Sequence, residues 1–260
     1  MKLRLGRHVY GLGAIAFGII TLSWQQVNSL GNLAHPAILI YVAGIVELLG
    51  GFAMQWQRTV RFGAITLCAV FFIFTLYLIP PIFKMPLVYF PWGNFFEEFS
   101  IVLGSVFVFA STIKSNMEIQ TRLVRIAYAC YGICVISYSL YQLFYITYTA
   151  GLVPKWIPPD QMFWAVTTTI AFALSAVAII SGRSALLASG LLTAMFIGFG
   201  LLVWIPACII HPHELAKWIS NATNLIVAGA AWVVADFLSQ QKIALLGTPR
   251  DRVFVKDIED

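Results

Sequence analysis

Eight times between Val9 and Ala235 the chain runs for about twenty residues with almost no charge, and each run ends in a few polar or Pro- and Gly-bearing residues. That recurrence decides the class of fold. A hydrocarbon core about 30 Å thick is crossed by roughly twenty residues of helix. Since no water is present there to satisfy backbone N–H and C=O groups, each run must satisfy its own as a helix. Only 10% of residues are charged and the mean hydropathy is +0.86, against about 25% charge in a soluble domain. The expected fold is an all-α integral membrane protein with eight transmembrane helices.

The runs are Val9–Ala34, Ala37–Gln55, Phe62–Ile79, Asn94–Ile113, Ile126–Thr149, Gln161 to the residue before Arg183, Ser184–Ile209 and Ile219–Ala235. The first resembles a signal peptide at its start but has no small-residue cleavage site, so it reads as a retained helix. All sixteen lysines and arginines except Lys84, Lys155 and Lys217 fall in the termini or in the loops after the second, fourth and sixth runs. Short cytoplasmic loops hold such an excess, which places both termini in the cytoplasm. Basic residues spread in this way are topology signals and give no nucleic-acid surface. The lipid bilayer is the expected partner.

The segment Ile79–Ser111, broken by Pro80, Pro81, Pro86 and Pro91, leads into a helix bearing Glu97 and Glu98, and a second copy follows. Ile79, Pro80 and Trp92 match Ile205, Pro206 and Trp218. Arg7 and Tyr10 match Arg125 and Tyr128 at a slightly smaller offset. Four helices per copy is an even number, so both copies enter from one side and form a parallel repeat. The units are residues 1–117 and 118–239, followed by a polar cytoplasmic tail, 240–260, in which Gly247 and Pro249 oppose helix. Most tryptophans lie near predicted helix ends, as interfacial rings do. Gly190, Ala194 and Gly198 form a small-residue stripe that invites close approach of a neighbouring helix.

Few residues offer chemistry. Glu47, about ten residues into the second run, lies roughly 15 Å deep at 1.5 Å per residue. A charge there costs about 2.5–3.5 kcal/mol on insertion scales, so Glu47 should face the interior as a proton-handling group, a ligand for a quinone hydroxyl, or a protonated acid bonded to a Ser, Thr or Tyr. Glu97 and Glu98 are expected one turn inside the outer end of the fourth helix, as caps or as a polar site, with one of the pair facing inward. Their counterparts in the second copy are Thr223 and Asn224. His211 and His213, with Glu214 beside them and His35 on another loop, are weak metal candidates without a compact ligand motif. Cys68, Cys130, Cys134 and Cys208 all lie in apolar runs and form no Cys-x-x-Cys pair. No phosphate-binding loop or nucleophile elbow occurs.

The run Gly44, Ile45, Val46, Glu47, Leu48, Leu49, Gly50, Gly51, together with Val153, Pro154, Trp156, Ile157, Pro158 and Trp164 in the second copy, resembles the DoxX-like membrane proteins, here as a tandem duplication of the four-helix unit. The second copy departs from that pattern, since Thr167, Thr168 and Thr169 stand where the glutamate would fall. The resemblance implies a bacterial cytoplasmic (inner) membrane protein associated with quinone-linked redox complexes, with partner subunits carrying the redox centre and quinone as the possible cofactor. It names no catalytic residue. Two other readings stand beside it: a small-molecule or proton-linked transporter, suggested by the duplicated bundle and Glu47, and a structural or assembly subunit of a larger complex.

Overall fold

The structure, a computed structural model, describes residues 5–25, 37–113 and 117–246, and among them it contains helices and no strands. In chain order these are α1 (Leu5–Trp24), α2 (Ala37–Ala53), α3 (Val60–Tyr77), α4 (Ile79–Lys84), α5 (Tyr89–Ala110), α6 (Met117–Phe144), α7 (Ile146–Leu152), α8 (Gln161–Ser181), α9 (Ala185–Phe199), a π-helical turn (Gly200–Trp204), α10 (Ile205–Ile210) and α11 (Leu215–Leu246). Seven spans among the described residues are long and apolar enough to cross a membrane, which makes this a multi-pass membrane protein. The second expected span, α2, has 17 residues and falls short of that length.

Each long helix packs on its neighbour in sequence, α1 on α2, α2 on α3, α3 on α5, α5 on α6, α6 on α8, α8 on α9 and α9 on α11. The ring closes through α11 on α1, and α5 meets α11 across the middle. Helix α1 runs antiparallel to α11, since Gly6 lies against Val233 and Gly13 against Ile226. The start of α1 and the end of α11 therefore share one face of the bundle, called here the terminal face.

Two tight crossings organise the first helix. A Cβ on Gly229 would come within 2.4 Å of the Tyr10 backbone nitrogen, and one on Gly51 within 2.6 Å of the Gly11 carbonyl. Small residues of this kind let backbones approach where apolar burial provides little drive between helices. The stripe expected to do so on the seventh run does not, because Gly190 and Gly198 face open space. Leu192, Phe196 and Ala188 form the buried face of α9 instead.

The helices overrun several expected limits. α5 begins at Tyr89 rather than Asn94, because Pro91 falls in the first turn, where backbone N–H groups have no helical acceptor anyway. α6 begins at Met117 and takes in Glu118, Arg122 and Arg125, since polar side chains end a hydrophobic run without ending a helix. α11 continues to Leu246, so the expected polar tail starts as helix. The seventh run is interrupted by the π turn. Pro206 cannot donate to the carbonyl four residues back and its ring collides with it, so the preceding turn widens.

Polar caps tie the ends. Asp160 accepts from Phe163 N–H at 2.8 Å to start α8, and Gly182, at φ 72°, ends it in the left-handed conformation. At the terminal face, Asp236 of α11 accepts from Gly6 N–H of α1 at 3.0 Å. Because an acid at a helix N-terminus also meets the helix dipole, Asp236→Ala should cost about 1 kcal/mol. A lowered thermal midpoint in detergent, with Asp236→Asn intermediate, would register it.

Candidate functional site

At the far face, opposite the termini, three helices open with the same device. The indole N–H of Trp92 donates to Pro86 O at 3.2 Å, that of Trp164 to Pro158 O at 2.9 Å and that of Trp218 to Pro212 O at 2.9 Å. Each pair spans a Pro, five residues and a Trp in front of α5, α8 or α11. This Pro-x5-Trp spacing is present in the sequence, where Trp92 and Trp218 mark the repeat match and Trp164 belongs to the family resemblance.

Between the loop before α5 and the end of α6 the far face opens into a cavity of about 410 Å³, lined by Pro86, Leu87, Val88, Tyr89, Trp92, Phe144 and Tyr145. That volume is in the range of small-molecule sites. Its walls are aromatic, with Tyr89 and Phe144 ring centroids 5.0 Å apart, and two hydroxyls serve it. Tyr89 donates to Ser137 Oγ at 2.9 Å. Tyr145 accepts from Phe90 N–H at 3.1 Å, which leaves its own proton without an acceptor among the described residues.

Beneath the cavity, the α5–α6 contact continues as a polar seam. Tyr141 sits on Gly93, where a Cβ would meet its ring at 2.2 Å. One turn further along α5, and three residues before Ser100, Glu97 lies on the same side of the helix as the contacts of Gly93 and Ser100 with α6. Ser100 donates to Glu97 O at 2.7 Å, so the short Ser100–Tyr138 contact takes its proton from Tyr138. Toward the terminal face come Tyr131 and Tyr128, whose hydroxyls are buried and have no hydrogen-bond partner among the described residues.

Glu98 is buried and Glu97 half-buried, both more than two turns into α5 rather than one, because the helix starts earlier than expected. Adjacent positions diverge by about 100°, and so they serve different seams. Glu97 shares the side of α5 that meets α6 through Gly93 and Ser100, whereas Glu98, 9% exposed, points away from that side into the bundle.

Glu47 is elsewhere. It is 1% exposed, and its Oε2 accepts from Thr21 Oγ1 of α1 at 3.1 Å. Helices α6 and α8 are joined by another polar link. Gln142 of α6 accepts from both Thr168 and Thr169 of α8, each at 3.0 Å. Thr168 and Thr169 thus maintain a polar link between these helices without an acid.

Asn224 donates to Phe196 O at 2.9 Å, just before the π turn, and so holds a helix distortion in place. His211 is engaged by Glu214 (3.0 Å), which Lys217 also approaches (3.8 Å), and His213 is exposed. Among the described residues no three His, Cys, Asp or Glu side chains gather as a metal site. His35 lies outside the described residues. No family model, curated protein or solved structure matches the chain.

Proposed function

We propose that this chain is a tandem duplication of a DoxX-like four-helix unit, with eight spans and both termini cytoplasmic in a bacterial inner membrane, and that it serves a membrane redox complex by binding a quinone headgroup. The single observation that carries the ligand is the aromatic cavity at the far face with the Tyr145 proton, which has no acceptor among the described residues. A quinone presents a flat ring and carbonyl acceptors. Rings such as Trp92 and Phe144 suit the former, and the Tyr145 hydroxyl suits the latter.

The duplication is supported by packing that reads the same when the halves are exchanged. α5 on α6 corresponds to α11 on α1, and α5 on α11 lies at the exchange axis. Ile79, Pro80, Pro86 and Trp92 match Ile205, Pro206, Pro212 and Trp218 at one common offset, and α4 and α10 are both six-residue helices begun with proline. The two equivalent contacts differ in what fills them. α11 on α1 is closed by glycine, while α5 on α6 contains tyrosines, Glu97 and the cavity, which favours the second as the working site.

Trp92 lines the cavity and supplies the probe. A short-chain ubiquinone analogue should quench tryptophan fluorescence saturably, and Tyr145→Phe should weaken binding about three- to tenfold, the worth of one hydrogen bond. Linear, non-saturating quenching unaffected by Tyr145→Phe would remove the quinone reading. Proton-linked transport is the second reading, favoured by the buried carboxyl of Glu47 and the half-buried one of Glu97.

A further inference from the structure

We infer that the α5–α6 seam is a path for protons between the far-face cavity and the terminal face. The groups form a line. Tyr141, Tyr138, Tyr131 and Tyr128 descend one side of α6, each held toward α5: Tyr141 on Gly93, Tyr138 at Ser100, and Tyr131 and Tyr128 with ring centroids 6.3 and 4.8 Å from that of Phe107. Glu97 lies on α5 between Gly93 and Ser100, the contacts of the first two. Tyr131 follows Tyr138 two turns toward the terminal face, about 10 Å along α6 at 1.5 Å per residue, a gap that bound water would bridge.

The two orphan hydroxyls carry the argument furthest. A phenol buried without a partner is costly, and phenylalanine would fill the same space without that cost. Both orphans lie on the same side of α6, below the last paired hydroxyl, where a water molecule bonded to each would extend the line. The line then reaches a cleft at the terminal face, about 20 Å³, room for one water, lined by Phe107, Ser111, Asp236, Phe237, Gln240 and Arg7 among others. Phe107 and Phe237 of that cleft pack directly on Tyr128.

Glu97 is the group that can hold a proton along the way. The phenols of Tyr138 and Tyr141, from α6, are the titratable groups that face it. No basic side chain from α3, α4, α6 or α11 among the described residues acts on it. At each step an oxygen accepts a proton on one side and releases its own on the other. Only O–H bonds form and break, no electrons move, and one proton leaves one face as one appears at the other, driven by the gradient.

The full-length protein in liposomes loaded with a pH-sensitive dye, under a valinomycin-set potassium potential, provides the test. Protein-dependent acidification of the lumen is expected, slowed about a hundredfold by Glu97→Gln and by Tyr131→Phe, the scale of a positioned proton-transfer group. Tyr41→Phe, at an exposed site on α2, should conduct as the parent does. Tyr131→Phe removes one oxygen and keeps the packing, and an unchanged thermal midpoint in detergent verifies its fold. Flux no faster than in protein-free liposomes, or wild-type flux in both seam variants, would overturn the path. Because quinone binding is read separately by quenching and Tyr145→Phe, either idea can fail while the other stands.

Discussion

Gly229→Leu should leave no stably folded bundle. The added Cβ alone would lie 2.4 and 2.5 Å from Tyr10 N and Cα, backbone atoms that cannot turn aside. Relief requires α1 and α11 to separate, and that contact also positions Tyr10, whose hydroxyl donates to Ile101 O at 2.7 Å. Overpacking of a well-packed core costs about 1–3 kcal/mol, occasionally more, and leucine at a backbone-to-backbone crossing belongs at the upper end. Size-exclusion profiles in mild detergent should show aggregation or loss of the monodisperse peak. Gly190→Leu, by contrast, meets open space and should elute as wild type, a result that would separate a packing glycine from one that merely lies in a stripe.

Glu47→Lys is the second large effect. The side chain at this position is enclosed between α1 and α2 and meets Thr21. A lysine there brings an ammonium into the bundle with only a hydroxyl to receive it, at about 2.5–3.5 kcal/mol on insertion scales before the lost hydrogen bond is counted. Glu47→Gln keeps shape and acceptor and should stay within about 1 kcal/mol of the parent. The contrast is read from expression level and thermal midpoint together. A well-folded Glu47→Lys protein would mean that this site reaches water.

The helical membrane class was legible in the sequence because it depends on long averages. A run such as Phe62–Ile79 is apolar whichever way its side chains point, and α3 falls within two residues of it. Helix ends were less legible. The sequence marks where apolarity stops, whereas Glu118, Arg122 and Gln240 continue helices into polar surroundings. The enclosure of Glu47 followed from its depth alone, but its partner Thr21, 26 residues away, did not. The seam was least visible of all. Tyrosines at 128, 131, 138 and 141 are ordinary residues for a membrane helix, and nothing local distinguishes a phenol facing lipid from one facing Glu97. Pairing of α5 with α6 decides that, and it is a tertiary fact.

The proline–tryptophan closures have a consequence for how the protein sits among lipids. An interfacial tryptophan ordinarily finds its hydrogen-bond acceptor in headgroups or water, whereas Trp92, Trp164 and Trp218 direct theirs to carbonyls of their own loops. Three rings fixed at the starts of three helices mark a level on the protein that owes nothing to headgroup chemistry. The molecule should therefore ride at the same depth in zwitterionic and anionic bilayers, and respond to acyl-chain length instead.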